Sequence, residues 1–364
     1  MDKKELSTLF YTAAKQTWQN RQGRLGEVIV PFDDFSGVRG IDISSLAPGT
    51  LSNMNFDGIG TKVEIAERMN NHSTMAYDLL AMVCDDAVVH GAEPVIVGTV
   101  FDVRQLQKES HNNVQQVLAG YVAAAKEANV AITNGESAEL LSRVAGYGQF
   151  NYNWCATALW FARKERLLTG KQIVPGDAII ALREEGFRSN GFSLARQVFS
   201  EVYGAEWHNT YFDQKQIGEQ VLTPSRIYTR AIVTMTGGYD LQPRAVIHGL
   251  AHITGGGIPE KLGRTLKPSG YGAVIDSLFK PCSTMWLAQG AASIMDDIAY
   301  STWNMGQGML VITPDVQNVL AVAAEYGIEA KVAGSVVQEK GITIVSEGLF
   351  GKNKELNFGR EKRI

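Results

Sequence analysis

Cysteine is scarce. Cys84, Cys155 and Cys282 are the whole complement, odd in number and far apart in the chain. That excludes a disulfide framework and a CxxC metal site, and it suits a reducing setting, so a cytoplasmic location is expected. No run of about 18 apolar residues occurs, and the opening "MDKKELSTLFYTAAKQ" lacks an apolar core of signal-peptide length. A soluble protein with no membrane partner is expected. Basic charge is also in deficit: the formal net charge is -4, and no basic stripe precedes the final "GREKRI". Nucleic acid is therefore not an expected partner, although a small anion can still be held by local donors. Short-period repeats and low-complexity tracts are absent as well.

What the chain does have is length and glycine. Its 364 residues predict about two domains. Apolar residues at 45% and charged residues at 20% are ordinary globular values, whereas 37 glycines exceed the average share. A helix is predicted over 3–18, followed by irregular sequence to residue 50. "TMAYDLLAMVCDDAVVH" (74–90) reads as a buried helix, capped by Ser73 or Thr74 and stopped by Gly91, with Pro94 beyond. "VIVGTVFDV" (95–103) reads as a strand, 110–128 as an amphipathic helix, and "VAIT" (130–133) as a short strand. "NWCATALWFA" (153–162) closes this half, and the turn-rich "LLTGKQIVPGD" (167–177) marks the boundary between domains at 1–165 and 166–364. In the second half "AIIAL", "GAVID", "GMLVIT", "AKVAGSVV" and "GITIVS" read as strands. "SNGFSLARQVFSEVY", "PSRIYTRAIVTM" and 315–326 read as helices. Helices and strands intermix in both halves, so the fold class is α/β (α+β).

Six stretches carry candidate chemistry. "NFDGIGTKVEIAE" is not a P-loop, which needs four residues between its glycine and Gly-Lys-Ser/Thr. Even so, Asp57 can hold a divalent cation, Gly58 and Gly60 let backbone N–H groups approach an anion, and Thr61 and Lys62 follow. A tight strand-to-helix connection is the alternative. The 74–90 helix places Asp78, Asp85 and Asp86 among Met, Leu, Ala and Val, where carboxylates without partners are costly. Asp78 and Asp85 fall on nearly one face, and with Asp57 and Asp86 they can share Mg²⁺; capping or pairing with a cation is the alternative. "NGESAEL" puts Glu136 and Glu139 at a predicted helix start after a strand, where a carboxylate is favoured with or without a ligand.

The fourth, "HITGGGIPEKL" (252–262), is the densest in glycine and forms a backbone cradle or a flexible turn. His248 and His252 have the spacing of a zinc-hydrolase helix, but Gly249 replaces the glutamate such an enzyme needs. "EGFRSNGFSL" (185–194) offers Arg188, Ser189 and Asn190 to an oxyanion or as helix caps, and "STWNMGQGMLV" (301–311) is a further polar turn before a strand.

Taken in order, "FDGIGTK", "DLLAMVCDDAVVHGAEP", "GESAEL", "GDAIIALREEGFRSNGFSL", "TPSRIY", "HITGGGIPEKLGRTL" and "NMGQGM" resemble the aminoimidazole ribonucleotide (AIR) synthetase family from about residue 53 to 345. The resemblance implies a homodimer whose N-terminal, ATP-binding domains pair their sheets into a barrel, with ATP near the dimer interface and an AIR-synthetase-like C-terminal domain. It implies an ATP- and Mg²⁺-dependent cyclo-ligase acting on a phosphoribosyl purine precursor, formylglycinamidine ribonucleotide. The family's "DGVGTK" aspartate and lysine match Asp57 and Lys62, the second residue of its "ND" matches Asp86, and the first glutamate of "GGETAE" matches Glu136.

On that basis Asp57, Gly58, Gly60, Thr61, Lys62, Asp86 and Glu136 are expected at ATP. Asp57, Asp86, Asp85 and Glu136 are expected at metal, with Asp86 ahead of Asp85. Arg188, Ser189, Asn190, Thr254, Gly255, Gly256 and Gly257 are expected at the substrate phosphate, and Asp86, Lys62 and His252 in catalysis. The chain departs from the family at "FSGVRG" (35–40), which stands for a glycine-rich "GGFG". It departs again at "NGESAELLSRV", which lacks a Pro-Gly turn, at Arg188 in place of a histidine, and at Asp85 in place of an asparagine. These departures keep open a related ATP enzyme with another acceptor, such as a thiamine-monophosphate kinase, or a nucleotide-binding dimer without turnover.

Overall fold

Two main sheets, each with its own helices, organise this chain. The computed structural model describes residues 1–31, 37–108 and 110–359. Contacts divide it into one unit of Met1–Val88, Ala92–Arg166 and Ile227–Arg230, and another of Val89–Gly91, Leu167–Arg226 and Ala231–Ile364. Phe35 and Ser36 of "FSGVRG", and the last five residues of "GREKRI", lie outside the described residues.

The first unit carries helix α1 (Lys3–Thr17), the two-residue strands β1 (Val28–Ile29) and β2 (Gly40–Ile41), then β3 (Thr50–Gly58) and α2 (Val63–Met69). There follow α3 (Met75–Val88), β4 (Glu93–Val103), α4 (Ser110–Ala128), β5 (Ala131–Glu139) and β6 (Tyr152–Arg163). The sheet order is β3-β6-β4-β5, antiparallel except for the β4/β5 pair. Asp2 starts α1 by accepting the Glu5 N–H at 2.8 Å. Helices α1, α3 and α4 cover one face, where Phe101, Tyr121, Tyr152 and Trp154 form an aromatic cluster.

Alternation along the strands sends Met54, Phe56 and Val100 to the opposite face. That face is apolar and open, with Phe56 71% exposed. The β5 edge is closed by α1 and the residue after it: the Thr17 hydroxyl accepts from the Ile132 N–H at 2.8 Å, and the Trp18 indole donates to the Ile132 carbonyl at 2.7 Å.

The structure corrects one reading here. "NGESAEL" continues β5 through Glu139 and does not start a helix. Residues 134–139 stay extended because they pair in parallel with Gly98–Val103, so a neighbouring strand overrides the helix-start pattern.

The second unit holds β7 (Ala178–Arg183), α5 (Phe192–Tyr203), the short pair β8 (Tyr211–Phe212) and β9 (Lys215–Gln216), α6 (Ile217–Val221), most of α7 (Thr229–Thr236), β10 (Gly249–His252) and α8 (Gly257–Leu266). It continues through β11 (Gly272–Ile275), α9 (Ser283–Ala292), α10 (Asp296–Thr302), β12 (Gln307–Thr313), α11 (Val316–Glu325), β13 (Ala330–Val337), β14 (Ile342–Val345) and β15 (Glu355–Phe358). Seven strands form the sheet β10-β12-β7-β13-β11-β14-β15. Every residue of β12 is buried, as expected for a central strand covered on both faces.

Two predicted helices begin later than their sequence suggests. The stretch from Pro224 becomes helical only at Thr229, and the one from Ser189 only at Phe192. The polar turns ahead of both are given over to side-chain bonding described below.

Candidate functional site

The first candidate group lies in the first unit, around the end of β3. Asp57 is exposed and its carboxylate accepts the Gly58 N–H at 2.7 Å, an arrangement that stiffens the turn. Gly60 has φ +69°, where a residue with a Cβ is disfavoured. Lys62 lies at the end of that turn, fully buried, with its ammonium 2.9 Å from Asp78, which is also fully buried. The pair explains one of the aspartates in α3: Asp78 neutralises a lysine, which removes it from the shared metal set.

Asp85 is likewise accounted for. It accepts from the Tyr228 N–H at 3.0 Å and the Thr229 hydroxyl at 2.8 Å, tying the start of α7 to α3. Its carboxylate is buried and Oδ1 is taken up by these two bonds, which gives it a structural role. Asp86, one residue on, is only partly buried. Glu136 is exposed, 3.4 Å from Lys3, and rims a cavity of about 190 Å³ with Tyr11, Arg39 and Tyr121. Arg39 lies over the Tyr11 ring, 5.4 Å from its centroid.

Among the described residues no group of three or more His, Cys, Asp or Glu is arranged to hold a metal. Asp57, Asp85, Asp86 and Glu136 therefore do not form one carboxylate cage. Mg²⁺ seldom needs such a cage, since it keeps several waters and takes one or two carboxylates plus the oxygens of a phosphate chain. The donors present fit a cation arriving with a nucleotide.

The second group lies in the second unit. Strand β10 ends at His252, and the loop Ile253–Gly256 leads into α8. Gly256 has φ +87° and, as the N-cap of α8, offers no side-chain acceptor, while the Gly257 N–H donates to the Thr254 carbonyl at 2.9 Å. A Cβ on Gly257 would lie 1.9 Å from the Tyr300 carbonyl, and one on Gly191 would lie 2.5 Å from the Thr302 carbonyl. Both glycines are thus required where two turns press on the same stretch of chain. The Trp303 indole donates to the Gly191 carbonyl at 2.9 Å and helps hold "RSNG" there. In that turn Ser189 Oγ and Asn190 Oδ1 are buried without a hydrogen-bond partner. Buried polar atoms of this kind mark a place for a ligand or water.

Arg188, 1% exposed, sits in the left-handed region with φ +60°. Its Nη1 donates to Glu184 at 2.6 Å and to the Arg226 carbonyl at 3.0 Å, and its Nη2 lies 2.6 Å from His252 Nε2. Glu184 was not among the sequence candidates. The only signal for it was an acidic residue four before an arginine at a strand's end.

Other singled-out residues are structural. Asn304 donates to the Gly186 carbonyl at 2.9 Å and accepts the Gly306 N–H at 2.8 Å. His248 pairs with Asp177 at 2.8 Å, and His252 belongs to a strand, so the zinc-helix spacing has no helix beneath it.

Sequence reasoning also passed over Glu67 and His72, beside a cavity of about 290 Å³ in the first unit. Burial raises the Glu67 carboxyl to about 7, against bonds from the Tyr147 N–H, the Asn151 side chain and the Tyr152 N–H that favour its charged form. Burial lowers His72 to about 4.

The chain belongs to the AIR synthase related proteins. Residues 42–159 match the family's N-terminal domain and 174–347 its C-terminal domain. Within the family it is similar to phosphoribosylformylglycinamidine cyclo-ligases. It is 34% identical to that of Synechococcus elongatus, over 89% of this chain and 91% of the relative. It is also 34% identical to that of Methanocaldococcus jannaschii, over 78% and 77% respectively. A solved thiamine-monophosphate kinase from Stenotrophomonas maltophilia shares the fold at a TM-score of 0.63 and 13% identity, covering 95% of this chain and 96% of that one. No helix among the described residues is long and apolar enough to cross a membrane.

Proposed function

We propose that this protein is an ATP-dependent phosphoribosylformylglycinamidine cyclo-ligase, converting formylglycinamidine ribonucleotide to aminoimidazole ribonucleotide with release of ADP and phosphate. The observation that carries the reading is the 34% identity to a named cyclo-ligase along about nine-tenths of both chains. In this reading the formyl oxygen takes the γ-phosphoryl group of ATP and becomes a leaving group. The amidine nitrogen attacks the activated carbon, the ring closes, and phosphate departs.

Asp57, Gly58, Gly60, Thr61, Asp86 and Glu136 hold the nucleotide, with the paired Lys62 as the buried cation behind the turn. Asp57 and Asp86 hold Mg²⁺, which would neutralise charge on the phosphate chain. The Arg188–Asn190 turn and the Thr254–Gly257 loop receive the substrate's ribose phosphate: the Ser189 hydroxyl can donate to that dianion, and a glycine-rich helix start favours it. A second copy of this chain is the partner, joined through the apolar face bearing Met54, Phe56 and Val100. The cytoplasm, in keeping with the three unpaired cysteines, is the setting.

The test is release of ADP with Mg-ATP, with and without formylglycinamidine ribonucleotide. ADP formation that depends on that substrate, together with the aminoimidazole product, is expected. Nucleotide binding with no turnover, or turnover only on another acceptor, would sink the proposal.

A further inference from the structure

Arg188 stands in the substrate turn, yet both terminal nitrogens of its guanidinium are already engaged. Nη1 donates to the Glu184 carboxylate at 2.6 Å and the Arg226 carbonyl at 3.0 Å, and Nη2 reaches His252 Nε2 at 2.6 Å. Glu184 and Arg188 are each only 1% exposed. The carboxylate is itself well supplied: it also accepts the N–H groups of Glu185 at 3.1 Å and Arg226 at 3.3 Å. Arginine has donors and no acceptor and stays protonated in proteins. At 2.6 Å, therefore, its N–H donates and Nε2 of His252 must carry the lone pair. The ring proton then belongs on Nδ1, and a cation at this distance opposes a second proton. Arg188 also holds φ +60°, a conformation that costs a non-glycine residue and persists only where its surroundings demand it.

We propose that Glu184 and Arg188 are positioning residues that hold His252 neutral, in the Nδ1–H tautomer, at the mouth of the glycine loop, and that Arg188 does not grip the substrate phosphate itself. The phosphate contacts fall to Ser189, Asn190 and the Thr254–Gly257 loop. This assigns Glu184 a role, and it gives the arginine that departs from the family pattern a different job from direct anion binding. The functional part of the inference rests on the cyclo-ligase reading. The tautomer does not.

The experiment is nitrogen NMR of the full chain labelled at histidine, at neutral pH and without substrate, with the His252 signals assigned by a His252→Gln variant. Protonated Nδ1 and unprotonated Nε2 are expected in the unsubstituted protein. An Nε2–H ring, an imidazolium or an averaged pair overturns the proposal without any need for a foldable Arg188 variant. Arg188→Gln and the charge-keeping Arg188→Lys then separate the two roles, using inorganic phosphate as probe. A changed His252 tautomer, with phosphate affinity altered by less than about threefold and kcat lowered more than KM is raised, supports positioning. An unchanged His252 spectrum with phosphate affinity down by about tenfold or more, the loss expected for a charge-assisted contact, overturns it. Turnover of formylglycinamidine ribonucleotide with the wrong tautomer defeats only this inference. The right tautomer without turnover defeats only the assignment of substrate.

Discussion

Glu67 and His72 face one cavity with shifts of opposite consequence, and their removal should change how stability depends on pH. His72 falls from 6.5 to about 4. Between those values the unfolded chain binds the extra proton, so stability rises with pH through that window and is lost as pH falls through it. Glu67 rises from 4.5 to about 7. Here the folded state keeps the proton that the unfolded state releases, so stability is greatest below about 4.5 and declines as pH rises to about 7. Each shift spans about 2.5 units, worth roughly 3 kcal/mol at most. Between about 4.5 and 6.5 the two slopes oppose and nearly cancel.

Glu67→Gln should therefore leave the His72 slope uncovered. Relative to the unsubstituted protein, its unfolding free energy should gain about 1.4 kcal/mol per pH unit across that window. His72→Asn should show the opposite sign. Urea unfolding of the three proteins at intervals between about pH 4.5 and 6.5 measures this directly. Parallel profiles for all three, or slopes of the same sign for the two variants, would refute the reasoning.

Asp86→Asn should weaken Mg-ATP binding by tenfold or so and leave the oligomer intact, as read by calorimetry and sedimentation; unchanged affinity removes Asp86 from the nucleotide site. Phe56→Asp places a charge on the open sheet face and should convert a dimer to monomers in sedimentation equilibrium, with no dissociation telling against that face as the contact. Asp85→Ala strips the Tyr228 N–H and the Thr229 hydroxyl of their acceptor and should cost about 2–4 kcal/mol in denaturant unfolding. Lys62→Met leaves Asp78 buried and uncompensated, for an expected loss of about 3–5 kcal/mol; a neutral effect would show that the pair is not desolvated as described.

Much of the strand pattern was legible because each sheet writes its burial into the chain. β13 spans the residues of "AKVAGSVV", and α4 runs from Ser110 to Ala128 as its amphipathic face predicts. Glu136 and Glu139 were misplaced because local pattern cannot report a parallel neighbour thirty-odd residues away, and pairing of β5 with β4 decides the matter. The aspartates of α3 show the same limit. Sequence shows that three carboxylates sit in an apolar helix. Only the fold shows that Asp78 answers Lys62, while Asp85 answers a turn more than a hundred residues downstream. Glu184 was invisible for a related reason: the arginine it pairs with reaches His252 on another strand, and its carboxylate accepts an N–H from Arg226, about forty residues on. The glycine loop before α8 was readable because its constraint is local, set by a left-handed backbone at Gly256 and Gly257.

The bonds from Thr17 and Trp18 to Ile132 bear on how the sheet can grow. A strand border offers its amides to any extended peptide, including another copy of itself, and here the β5 border is met at Ile132 by a hydroxyl and an indole. Trimming the chain past Trp18 would bare that border, and the expected outcome is higher-order association in sedimentation; an unchanged assembly state would tell against it.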